Sequence, residues 1–65
     1  MNRGNQARDE IYLEYILLGH LVKVTAVDAA TGTEVSVAGP RTASQQDLAK
    51  IAVAKLHRRL GKRTG

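Results

Sequence analysis

At 65 residues with no cysteine, the chain forms one domain, too short for two cores and closed to disulfide or thiolate–zinc staples. A hydrophobic fraction of 43% without Trp or Phe implies a core of small aliphatic side chains, and no apolar run approaches the ~20 residues of a membrane-spanning helix. The net charge of +4 is uneven: Lys50, Lys55, Arg58, Arg59, Lys62 and Arg63 follow Asp47 with no acid among them, while four cations and six acids up to that point leave −2.

Residues 1–8 are polar and aperiodic, which predicts a disordered tail, and the opening "MNRGNQARDE" lacks the apolar stretch of a secretory leader, so a cytoplasmic protein is expected. From Asp9 the pattern changes. "EIYLEYILL" and "LVKVTAV" are rich in β-branched, aromatic and aliphatic residues and are separated by Gly19-His20. Glycine at the first central position of a two-residue loop predicts a type II′ hairpin with Leu18 facing Leu21. Leu17 then pairs with Val22, Tyr15 with Val24 and Leu13 with Ala26.

The next loop, "DAATGT", predicts a type I turn over Ala29, Ala30 and Thr31, followed by Gly32 at positive φ as a bulge, with Asp28 facing Thr33. This register sets Ala26 opposite Val35 and Val24 opposite Val37. Ile11, Leu13, Tyr15 and Leu17 therefore share one sheet face with Val22, Val24, Ala26, Val35 and Val37. The two turns independently imply the same sheet.

Gly39-Pro40 ends the third strand, since proline cannot donate to a ladder, and "TASQQDLAKIAVAKLHRRLG" takes up helical spacing. Ser44 and Asp47 resemble a capping box, and Gly61 fits a C-terminal cap. Leu48, Ala49, Ala52, Val53, Leu56 and Leu60 form one stripe with Ile51 on its flank, and the stripe is expected to cover the inner sheet face. The sequence thus predicts an α+β domain over residues 9–61, a three-stranded antiparallel meander with one C-terminal helix on one face, followed by a frayed basic end at 62–65.

No set of residues converges on chemistry. His20 falls in a tight turn and His57 on the outer side of the helix, without a carboxylate spaced to orient either. Asp9, Glu10 and Glu14 read as solubilising charges. "AGPRTAS" sets Arg41 and hydroxyls before a helix N-terminus, but it lacks the glycine-rich cradle and lysine of a nucleotide loop, and Ser44 serves as a cap. No catalytic residue, metal, cofactor or small-molecule substrate is expected, and the chain reads as a non-enzymatic interaction module.

Two surfaces offer partners. The first strand is a sheet edge without proline or lysine, and the outer face is apolar at Tyr12, Ile16, Leu18 and Leu21; either predicts self-association, as a homodimer. The six cations Lys50, Lys55, Arg58, Arg59, Lys62 and Arg63 offer weak, sequence-independent, salt-dependent nucleic-acid binding as the alternative, without an aromatic platform for base readout.

The strand order, a tyrosine in the first strand, "GTEVSVAG", and "S-x-x-x-x-A-K-x-A-x-A-K-L" in the helix resemble the C-terminal two-thirds of a double-stranded RNA-binding domain across residues 12–60. Such domains begin with a helix that reads the minor groove, and a lysine pair follows their serine. Gln45 and Gln46 stand in its place here, so the resemblance implies the topology more than the RNA contacts. The pattern "G-x-x-V-K-V-T-A-x-D-A-x-T-G-x-E-V-S-V-x-G-P", followed by a helix ending in arginines, is similar to a family of short uncharacterised bacterial proteins over residues 10–60. That resemblance implies a stand-alone domain and carries no activity, cofactor or partner.

Overall fold

A computed structural model describes residues 10–61. The tail expected over 1–8 and the frayed end at 62–65 lie outside the described residues, as do Asp9, Lys62 and Arg63. Three strands, β1 (Ile11–Leu18), β2 (Leu21–Asp28) and β3 (Glu34–Pro40), form one antiparallel sheet in the order β1-β2-β3, and the helix α1 (Gln45–Arg59) follows. This is the βββα architecture that the sequence implies, and every predicted cross-strand pair is present, from Leu18 opposite Leu21 to Leu13 opposite Ala26 and from Val24 opposite Val37 to Ala26 opposite Val35.

Both turns take their predicted form. Gly19 has φ +60° while no described non-glycine residue is at positive φ, the signature of a type II′ turn. In the second turn Gly32 has φ +76° and donates its N–H to the Asp28 carbonyl at 2.8 Å, while the Asp28 N–H reaches the Thr33 carbonyl at 2.8 Å. The Asp28 side chain adds a part that sequence spacing did not suggest. Only 4% exposed, its carboxylate accepts from the Thr31 N–H at 3.0 Å and from the Thr31 hydroxyl at 2.7 Å. An aspartate bonding to the backbone three residues on stabilises the loop that sets the β2–β3 register.

The helix begins at a Ser44 cap, whose hydroxyl accepts from the Asp47 N–H at 3.2 Å, and ends where Gly61 donates to the Arg58 carbonyl. Its buried side chains are Leu48, Ala52 and Leu56, which close the core with Val22, Val24, Ala26 and Val35. Ala49 and Leu60 are half-buried against this core, and Ile51 is exposed, as its flank position implies.

One expectation is overturned. The helix packs on β2 and β3 and hardly touches β1. Leu13, Tyr15 and Leu17 lie on the helix side of the sheet yet remain 39%, 43% and 56% exposed. The connection explains the displacement: β3 ends at Pro40 and the helix starts at Gln45, so the short link 41–44 holds the first helical turn beside β3. Gly39 permits the close approach, since a Cβ there would meet Leu48 Cδ2 at 3.0 Å. Lys55 then fixes the third turn on the same side, its Nζ donating to the Ser36 carbonyl of β3 at 2.9 Å. A helix about 10 Å across spans two strands set about 4.8 Å apart, and the third is left bare.

The Asp28 turn yields a direct stability test. Asp28→Ala removes the acceptor of the Thr31 N–H and hydroxyl and is expected to lower the unfolding free energy by about 1–3 kcal/mol in urea denaturation, without altering the far-UV spectrum of the folded state.

Candidate interaction surface

The bare strand presents both a backbone edge and an apolar face. The alternation of its ladder is set where the Glu10 carbonyl accepts from the Ala29 N–H at 3.1 Å. Residues in step with Glu10, namely Tyr12, Glu14, Ile16 and Leu18, turn their backbone groups toward β2. The intervening Leu13, Tyr15 and Leu17 turn theirs outward. The three residues with uncovered side chains on the helix face therefore also turn their N–H and C=O groups to the open edge, together with the half-buried Ile11.

The opposite edge is guarded. On β3 the outward backbone groups belong to Glu34, Ser36, Ala38 and Pro40, because the odd-numbered residues face β2, as the Asp28–Thr33 bond requires. Lys55 occupies the Ser36 carbonyl, and Pro40 has no N–H to offer. A lysine and a proline are standard means of discouraging strand addition, and β1 has neither. The sheet therefore has one protected and one available edge.

Beside that available edge runs an open groove of about 530 Å³ between β1 and the helix, lined by Leu13, Tyr15, Gln46, Ala49, Lys50, Val53, Ala54 and His57. Ala49 and Val53 belong to the predicted apolar stripe, but they flank the groove because the helix is shifted toward β3. No local signal in the sequence marks the groove, because it depends on where the helix sits across the sheet and not on which helical residues are apolar.

On the outer sheet face Tyr12, Leu18 and Leu21 are 59%, 53% and 47% exposed, as expected of an uncovered surface, while Ile16 is half-buried. Charges and hydroxyls interrupt this face. Glu14 and Glu34 are exposed, and buried Thr25 shares a 2.9 Å hydrogen bond with Ser36. The Tyr12 hydroxyl donates to the Glu10 carboxylate at 3.1 Å, and this bond, followed by the carboxylate's charge, raises its ionisation above the ordinary value of 10.0.

Of the cations expected to meet nucleic acid, Lys62 and Arg63 lie outside the described residues, and Lys50 stands apart from Lys55, Arg58 and Arg59, the two arginines following Lys55 at helical spacings of three and four. Lys50 borders the groove, Lys55 points to the β3 edge, and about 140° of helix separates the two; Arg58 and Arg59 are exposed in the last turn. Arg41, the cation of the candidate anion loop, instead closes the first turn, its guanidinium donating to the Gly19 carbonyl at 3.3 Å and its N–H to the His20 carbonyl at 2.9 Å. Among the described residues no three His, Cys, Asp or Glu side chains are grouped to hold a metal. No helix among them is long and apolar enough to cross a membrane.

These features define the class: a small two-layer βββα domain with one sheet edge and its adjoining apolar face left open. The chain belongs to the family described as domain of unknown function DUF6898, which matches residues 8–63. An uncharacterised small-domain family is where the sequence resemblance pointed. Comparison with curated proteins and with solved structures gives no match.

The Tyr12–Glu10 contact makes a pH-dependent prediction. A tyrosine ionisation raised by folding contributes stability that is fully present below the unfolded value near 10.0 and is lost as pH rises through the higher folded value. Ultraviolet absorbance titration should show one tyrosine ionising late in the wild type and earlier in Glu10→Gln.

Proposed function

We propose that the protein is a non-enzymatic interaction module that works as a symmetric dimer, formed by antiparallel pairing of β1 with β1 of a second copy. The observation that carries this reading is the coincidence of an unpaired backbone edge with uncovered Leu13, Tyr15 and Leu17 on one strand, opposite an edge blocked by Lys55 and Pro40. Both aromatic residues of the chain, Tyr12 and Tyr15, are on this strand and exposed. Tyrosine is enriched at interfaces because it buries a large area while its hydroxyl keeps a polar contact.

Pairing of β1 with its copy makes a continuous six-stranded sheet and satisfies the outward amides and carbonyls of both chains. The register follows from charge. Outward-facing residues must pair with one another, which allows a two-fold axis through Glu14 or through Tyr15 among the well-overlapped arrangements. The first sets two Glu14 carboxylates directly opposite at the close, non-hydrogen-bonded spacing, where like charges are destabilising. The second sets Tyr15 against Tyr15 of the copy and Leu13 against Leu17, and is the register we assign. Packing through Tyr12, Ile16, Leu18 and Leu21 is less favoured, because Glu14, Glu34 and Lys23 share that face and would lose water.

Sedimentation velocity across a wide concentration range tests the reading. The wild type should sediment as a dimer, Leu13→Pro and Leu17→Lys as folded monomers, and Leu21→Glu, on the outer face of β2 and away from the β1 seam, as a dimer. Because the chain has no cysteine, single replacements report the register: Tyr15→Cys should form a disulfide-linked dimer under mild oxidation and Glu14→Cys should not. A folded wild-type monomer at high concentration overturns the proposal, and crosslinking at Glu14 alone overturns the register.

A further inference from the structure

We propose that the paired chains form a receptor for one amphipathic helix that carries carboxylates along its polar flanks, an inference that rests on the β1 pairing above. A two-fold axis between antiparallel strands stands normal to the sheet, so both α1 helices fall on the same face. Each lies over β2 and β3, which leaves the two β1 strands uncovered between them. Four strand spacings then separate the helix axes, about 19 Å at about 4.8 Å per strand. Helices in contact lie only about 8–10 Å apart, so the gap is one helix wide.

The chemistry of this channel selects its occupant. Leu13, Tyr15 and Leu17 from both chains make an apolar floor, which suits the leucine-type face of a helix and offers nothing to a phosphate backbone. Ala49 and Val53 extend the apolar surface up each wall, while Lys50 and His57 stand along the groove with no carboxylate among its lining residues. Lys50 has no hydrogen bond or ion pair within the described chain, so its charge is available to a partner. Apolar below and cationic along both walls, the channel is complementary to a helix with leucines on one face and glutamates flanking it. The two-fold symmetry presents one such channel per dimer, so the stoichiometry is one helix to two chains.

The experiment uses a fluorescein-labelled synthetic peptide of about four helical turns, built from Leu, Ala and Glu in an amphipathic pattern, its counterpart with Lys for Glu, and a labelled single-stranded RNA. Anisotropy titrations and sedimentation are read on the same samples. The Glu peptide should bind one per dimer, about tenfold or more tighter than the Lys peptide, with the preference falling as salt is raised. Lys50→Glu should reverse the preference while leaving the dimer intact, and Val53→Glu should abolish binding of the Glu peptide. A dimer that fails to distinguish the peptides, or that binds the RNA in preference to both, overturns the receptor and leaves the pairing standing. A chain that stays monomeric overturns the pairing, and the two-walled channel with it.

Discussion

One helix cannot cover three strands. The rest of this small structure follows from where its single helix is held, and that position is decided by a handful of local constraints: the short link 41–44, the close approach of Leu48 over Gly39, and the Lys55 bond to the Ser36 carbonyl. Each draws the helix toward β3. The core that results is made of Val22, Val24, Ala26, Val35, Leu48, Ala52 and Leu56, and β1 contributes none of its members. The strand is tied to the domain by its ladder with β2 and by the Gly19 turn, while much of its apolar surface faces water.

That distribution is costly for an isolated chain. Small domains bury a smaller fraction of their surface than large ones, and here the largest fully buried side chains are only Leu56, Val22 and Val24. The two tyrosines, which could supply the greatest burial per residue, lie outside the core. In the dimer we propose, association through β1 would turn the same distribution into a gain, since Leu13, Tyr15 and Leu17 would meet their copies and the outward backbone groups would find partners. The guarded β3 edge would then act as a stop, closing strand addition at two chains instead of extending it into a fibre.

Much of this was legible in the sequence. Gly19 and Gly32 occupy turns whose geometry fixes strand register, so two short motifs specified all three strands and the residues that share each face. Ser44 marked the helix start. The lateral position of the helix was not legible, because helical periodicity reveals which residues are apolar but not which strands they meet. That choice depends on the length of the link and on one side chain, Lys55, whose reach to a carbonyl nineteen residues earlier leaves no local trace in the sequence. Asp28 was similarly hidden: it reads as an ordinary loop residue, and its burial emerges only when the turn folds its carboxylate onto Thr31. The open edge was visible from strand order, whereas the groove beside it was not, for it exists only because the helix is displaced.

Amide hydrogen exchange observes the outward amides of β1 one by one. In a dimer paired through β1, the N–H groups of Leu13, Tyr15 and Leu17 should exchange as slowly as those of Tyr12, Glu14 and Ile16, which bond to β2, and their protection should fall on dilution while that of the inward set persists. Fast exchange at Leu13, Tyr15 and Leu17 beside slow exchange at Tyr12, Glu14 and Ile16, at every concentration, would contradict the account.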